Sequence, residues 1–105
     1  MGKNIKRVYI AGKITGTEDY LERFDAAEQW LREEGFSSIN PTDLPFILGD
    51  SVDYEDILHI CFALIDICDA IYLMEGYKES AGAMREREYA IAKGKIVITK
   101  SITES

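Results

Sequence analysis

The run Ala70-Ile71-Tyr72-Leu73-Met74 constrains this chain more than any other stretch, because successive β-compatible apolar residues leave the segment no side that favours water. A strand of that composition is covered on both faces, as a central strand is in a parallel sheet flanked by helices. Parallel strands need crossover connections, normally helical, so the segments on either side of the run must supply helices.

The flanking sequence meets that requirement. Arg7-Val8-Tyr9-Ile10-Ala11 reads as a first strand closed by Gly12, with Gly12 to Gly16 as the loop that leaves it. Tyr20, Phe24, Ala27 and Leu31 then recur at helical spacing, with Thr17 as the expected cap, Glu18 and Asp19 in the first turn, and Gly35 as the stop. Ser37 to Asn40 gives a brief second strand. Pro41 to Asp50 holds both prolines and is expected to be irregular, a loop over the site. Ile57, Ile60, Cys61, Leu64, Ile65 and Cys68 form a wide apolar stripe on a second helix from about Asp53 to Ile67. After the third strand and a loop from Glu75 to Glu79, Ser80 caps a third helix ending near Gly94, and Lys95 to Thr99 supplies a fourth strand. The strand–helix alternation predicts an α/β three-layer sandwich around a four-stranded parallel sheet, for which we choose the order 2-1-3-4. Its ligand crevice is expected beyond the carboxyl ends of the first and third strands, where the winding reverses.

Length and charge narrow the function. The 105 residues, 47% of them hydrophobic, suit one core, so residues 1–105 read as a single domain. A formal net charge of −7 argues against polymeric nucleic acid or an acidic membrane as partner, and any nucleic-acid-derived ligand is expected to be small. Ile57 to Met74 is the most membrane-like stretch, but His59, Asp66 and Asp69 interrupt it, and a buried helix followed by a buried strand explains it better. Lys3, Lys6 and Arg7 precede an apolar strand without a cleavage-site pattern, so no signal peptide is read. Cys61 and Cys68 sit one helical stretch apart, their Cα atoms separated by roughly 10 Å, beyond the ~7 Å reach of a disulfide. Reduced core thiols in a cytoplasmic protein are the expectation.

Candidate chemistry gathers near the crevice. Glu86 shares a helical stripe with Ala83 and Ala90, small residues that should face the sheet, whereas Arg85 and Glu88 point elsewhere. An inward carboxylate must be hydrogen-bonded, paired or at work. The competing reading pairs Glu86 with Arg85, Arg87 or a lysine at the helix surface. Ser80-Ala81-Gly82 opens the same helix, where free N–H groups and the positive dipole end can hold an anion, or where Ser80 is simply a cap. Lys13 and Thr15, between Gly12 and Gly16, can also face an anion, although the spacing is not that of a Walker loop. Tyr9 lies on the strand face from which its phenol can reach Glu86; an aromatic core role is the alternative. His59 has no matching ligands at metal spacing, so metal binding is not expected. Tyr20, Trp30 and Tyr54 read as packing or subunit-contact residues rather than base-stacking platforms.

Tyr9-Ile10-Ala11-Gly12, Cys68-Asp69-Ala70-Ile71-Tyr72, and Ser80-Ala81-Gly82-Ala83 with Glu86 and Ala90 together resemble the nucleoside 2-deoxyribosyltransferase-like superfamily. The resemblance spans most of the chain. It is closest to a short branch common in phages and bacteria, which is similar in turn to the deoxynucleoside monophosphate N-glycosidases. A flavodoxin- or Rossmann-like fold is implied, and by motif position Glu86 is the nucleophile that attacks the anomeric carbon, with Tyr9 as its orienter. Ser80 and Gly82 match 5′-phosphate contacts, and Gly12-Lys13-Ile14-Thr15-Gly16 resembles the first phosphate loop, which favours a nucleotide over a nucleoside. Two departures stand out: Cys61 occupies the position of the relatives' aspartate on the second helix, and Thr15 stands where an arginine is expected. Asp56 and Asp66 are the candidate substitutes for that aspartate, although Asp66 is off the stripe that holds Cys61 and neither matches the family's motif.

The functional expectation is N-glycosidic bond cleavage or transfer on a small (deoxy)nucleoside or nucleoside 5′-monophosphate. The rival is a non-catalytic module binding a nucleotide or an ADP-ribose-like ligand. A buried-type sheet with only three helices to cover it also predicts at least a homodimer.

Overall fold

The computed structural model describes residues 5–14, 18–49 and 51–100. Four strands, β1 (Arg7–Ala11), β2 (Ser37–Ile39), β3 (Ala70–Leu73) and β4 (Ile96–Thr99), alternate with α1 (Tyr20–Glu33), α2 (Leu44–Leu48), α3 (Tyr54–Asp66) and α4 (Ala81–Ala92). All pairings are parallel, in the order β2-β1-β3-β4. This is the α/β architecture and strand order expected from sequence.

The period of two along the strands sorts side chains into two cores. Tyr9 pairs with Ile71 and Ala11 with Leu73 in register, and these face α3 and α4 through Cys61, Ile65, Ala83 and Ala90. Val8, Ile10, Ala70 and Tyr72 face the other way onto Phe24, Ala27 and Leu31 of α1. Every residue of β3 is buried, which is what its apolar run requires. Fully burying a side chain such as Phe24 or Leu31 stabilises the fold by roughly 1.5–3 kcal/mol each.

At the amino ends of the strands, Asp69 ties three of them together. Its Oδ2 accepts the backbone N–H groups of Lys6 and Arg7 at 2.8 and 3.2 Å. Its own N–H donates to Arg7 O, and its carbonyl accepts from Ile96 N–H. Two backbone donors hold the Asp69 carboxyl below the usual range.

Three local expectations need correction. α1 begins at Tyr20 with Asp19 as cap residue, later than a cap at Thr17 would place it; Thr17 itself lies outside the described residues. Pro41 to Leu48 is regular, a 3₁₀ turn (Pro41–Asp43) running into α2. Both prolines fall in opening turns, where a missing N–H costs nothing, and Asn40 accepts from Thr42 N–H to start the segment. The helical cover therefore includes a short fourth helix rather than three helices alone. Elsewhere the punctuation is as read: Gly35 takes φ +95° after α1, and Phe36 N–H returns to Leu31 O at 2.9 Å.

Candidate functional site

A hollow of about 560 Å³ opens at the carboxyl end of β1, between α3, α4 and the loop after β1. That size suits a small organic ligand. Glu86 is in its wall and is 92% shielded from solvent. The carboxylate is inward because Ala83, Glu86 and Ala90 form the buried stripe of α4, with Ala on both sides allowing the helix to approach the sheet closely. Tyr9 Oη donates to Glu86 Oε2 at 2.9 Å, and the Cys61 thiol donates to the same carboxylate. Glu86 thus does not pair with Arg85, which instead reaches Glu55 at 3.0 Å on the surface.

Electrostatics follow from this burial. Removal from water pushes the Glu86 carboxyl from 4.5 up to about 7, while the hydrogen bonds from Tyr9 and Cys61 pull in the opposite direction. Burial and the neighbouring carboxylate push the Cys61 thiol up to about 12 and the Tyr9 phenol well above its ordinary value. Near neutral pH the trio is therefore a carboxyl on the edge of ionisation, clamped by two groups that keep their protons.

The rim is made by loop and helix-start residues. Ser80 Oγ accepts from Ala83 N–H at 3.1 Å, so the hydroxyl caps α4 and lines the hollow at once. Gly82 also lines it, and a Cβ there would stand 3.0 Å from Tyr54 Oη. Gly12 lines the opposite side, but its lack of a side chain is demanded from behind: a Cβ would meet Met74 Sδ at 2.8 Å and Phe24 Cζ at 3.3 Å. Lys13 pairs with Glu79 across the mouth at 3.5 Å, and its carbonyl accepts from Arg23 at 2.8 Å. Thr15 and Gly16 lie outside the described residues.

Two expectations shift. Tyr54, read as a packing or subunit-contact residue, is too exposed for core packing and lines the hollow from the first turn of α3. Periodicity puts Tyr54 on the stripe of Ile57 and Cys61 but could not reveal that this end of the stripe is left uncovered at the hollow. Neither substitute acid is available: Asp56 closes the capping box of α3 with Asp53, and Asp66 accepts from Tyr89 Oη at 2.8 Å on the exposed side. Cys61 occupies the position between them, facing Tyr9 and Glu86. Among the described residues no three His, Cys, Asp or Glu side chains converge to hold a metal ion, and no helix is long and apolar enough to cross a membrane. A second hollow, about 620 Å³, lies on the α1 side over Trp30 and Tyr72, whose rings sit 5.3 Å apart; it does not contain Glu86.

The parallel sheet of order β2-β1-β3-β4 with helices on both faces makes this an α/β domain, and its fold is that of the 2-deoxyribosyltransferases. Superposition on a 2-deoxyribosyltransferase from Bacillus psychrosaccharolyticus gives a TM-score of 0.70 at 20% identity, covering 89% of this chain and 70% of that one. A 2-deoxyribosyltransferase from Leishmania mexicana gives 0.69 at 24% identity, covering 90% of this chain and 63% of that one. This chain therefore spans about two thirds of the length of those enzymes. It belongs to the family described as Domain of unknown function (DUF4406), whose model matches residues 6–99. No curated protein matches it in sequence.

Proposed function

We propose that this domain cleaves or transfers the N-glycosidic bond of a small (deoxy)nucleoside or nucleoside 5′-monophosphate, with Glu86 as the nucleophile and Tyr9 orienting it. The observation that carries the proposal is the buried carboxylate held by the Tyr9 hydroxyl at 2.9 Å inside a ligand-sized hollow. Tyr9 engages Oε2 and fixes the carboxylate plane, so that the other oxygen can attack the anomeric carbon. Positive charge builds on the sugar as the bond to the base breaks, and a carboxylate in a low-dielectric wall stabilises that charge more than water would. The resulting glycosyl ester splits one difficult displacement into two, and water or an acceptor base resolves it.

Ser80, Gly82, Gly12 and Lys13 ring the mouth, and Gly16 ends their loop in sequence. The first N–H groups of α4 favour an anion there, which supports a 5′-phosphate as the group that anchors the substrate. Lys13 would exchange Glu79 for that phosphate. No cofactor enters the proposed reaction. Self-association into at least a dimer belongs to the same reading, and sedimentation equilibrium tests it against a monomer of 11.9 kDa.

The deciding experiment incubates wild type and Glu86→Gln with a panel of nucleosides and nucleotides and follows base release by chromatography. Release by wild type alone, with a sugar adduct on the Glu86 peptide after acid quench, is the expected result. Because the nucleophile must be ionised, the rate should rise with pH through about 7. A rate that instead falls through that range would make Glu86 a proton donor and sink its nucleophilic role. The thiol beside Glu86 favours one alternative, a non-catalytic nucleotide-binding module. Calorimetric binding without base release from any substrate would select it.

A further inference from the structure

Expelling a purine or pyrimidine leaves an electron pair on a ring nitrogen, and a positioned acid normally supplies the proton that accommodates it. The groups facing Glu86 and its hollow form a short inventory. From β1 comes Tyr9, and from α3 come Cys61 and Tyr54; both Tyr9 and Cys61 turn their hydrogens onto the Glu86 carboxylate. Tyr54 Oη hangs over Gly82, one helical turn before Glu86. Lys13 and Glu79 occupy the mouth and pair with one another, Glu79 with 72% of its side chain in solvent. Ser80 caps α4. The rest of the wall includes Pro41, Ile57 and Leu58, which are apolar. Among the described residues, then, no second carboxyl shares the interior with Glu86, and burial makes the thiol and the phenol beside it weaker acids still.

We propose that the N-glycosides this site turns over are those whose leaving group departs without accepting a proton, namely N-ribosylpyridinium compounds of the nicotinamide nucleotide type. The inference rests on the N-glycosidase reading above and names its substrate class. As a Glu86 oxygen forms its bond to the anomeric carbon, the bond from that carbon to the pyridinium nitrogen breaks. Its electron pair stays on nitrogen, which becomes a neutral pyridine. A carboxylate and a cation are thereby converted to an ester and a neutral ring, a step that a low-dielectric wall favours. Water then adds to the anomeric carbon, the ester oxygen takes back its electron pair to restore Glu86, and the water's proton goes to solvent. The aromatic ring of Tyr54 and the ionised Glu86 suit a cationic ring in the ground state.

The test compares nicotinamide mononucleotide with deoxycytidine and adenosine 5′-monophosphates, measuring released base under kcat/KM conditions across the pH range. The expected result is at least a hundredfold preference for the pyridinium substrate and loss of its turnover in Glu86→Gln. Its profile should rise through about pH 7 and stay level on the alkaline side. Equal or faster cleavage of the ordinary nucleotides overturns the substrate assignment while leaving the N-glycosidase reading standing. A fall on the alkaline side also overturns it, because an acid would then be taking part. No release from any of the three by wild type removes both. Asp50 lies outside the described residues, so Asp50→Asn is run alongside. Unchanged turnover is expected, and selective loss of ordinary-nucleotide cleavage in that variant would identify a donor and refute the assignment.

Discussion

Replacing Glu86 by Gln is expected to stabilise the protein, and to do so only where the carboxyl would be ionised. Burial lifts its pKa from 4.5 to about 7, so the folded state holds the Glu86 proton more tightly than the unfolded chain does. The stability associated with that proton is present in full below the unfolded value and is lost as pH rises through the folded one. Above that window the ionised carboxylate costs the folded state roughly 3 kcal/mol. Gln keeps the shape, accepts the Tyr9 hydrogen through its amide oxygen and carries no charge. The difference between Glu86→Gln and wild type should therefore be near zero at pH 4, grow between about 4.5 and 7, and level off at roughly 2–3 kcal/mol by pH 8. Urea denaturation followed by Trp30 fluorescence and far-ultraviolet dichroism at constant ionic strength measures it, with an unchanged m-value as the check that only stability has moved. A difference that is flat with pH, or a Gln variant less stable at pH 8, would refute the account of Glu86 as a strained, desolvated acid. A gain in stability accompanied by lost turnover is what a buried functional carboxylate should give.

Three further outcomes follow from the same geometry. Tyr9→Phe removes a donor from a buried acceptor; it should cost about 1–3 kcal/mol at alkaline pH and shift the ionisation of Glu86 upward from about 7, visible as a displaced acid limb of the rate profile. Gly12→Ala should destabilise by about 1–3 kcal/mol in thermal melts, since its Cβ would press on Met74 and Phe24, which have core on their other sides. Gly82→Ala meets only the mobile end of Tyr54, so melting should hold within about 1 kcal/mol of wild type while calorimetric affinity for a nucleotide falls.

The sheet was legible because each of its signals is local and redundant. An apolar run too continuous for an amphipathic strand specified β3, and Gly35 and Ser80 marked helix boundaries by the backbone conformations and caps they supply. Pro41 to Leu48 misled because proline breaks a helix only in its interior, and composition does not tell an interior from an opening turn. In the site, the stripe of Ala83, Glu86 and Ala90 turned the carboxylate inward on spacing alone. The contact with Tyr9 then needed only strand alternation. Spacing set Tyr54 on the same face of α3 as Ile57 and Cys61, but it could not supply the packing that leaves this first turn exposed with Tyr54 over Gly82. Nor could it supply the partner of Lys13, since a surface lysine and a glutamate far along the chain meet only after β1 and β3 pair.

Asp69 binds the starts of β1, β3 and β4 into one knot, at the end of the strands opposite the hollow lined by Glu86. Strand register is thereby set by a latch that is not part of the lining of that hollow. Loops at the other pole can be lengthened, shortened or exchanged without loosening it. Grafting a foreign loop between Gly12 and Tyr20 should therefore leave the melting cooperativity of the sheet intact.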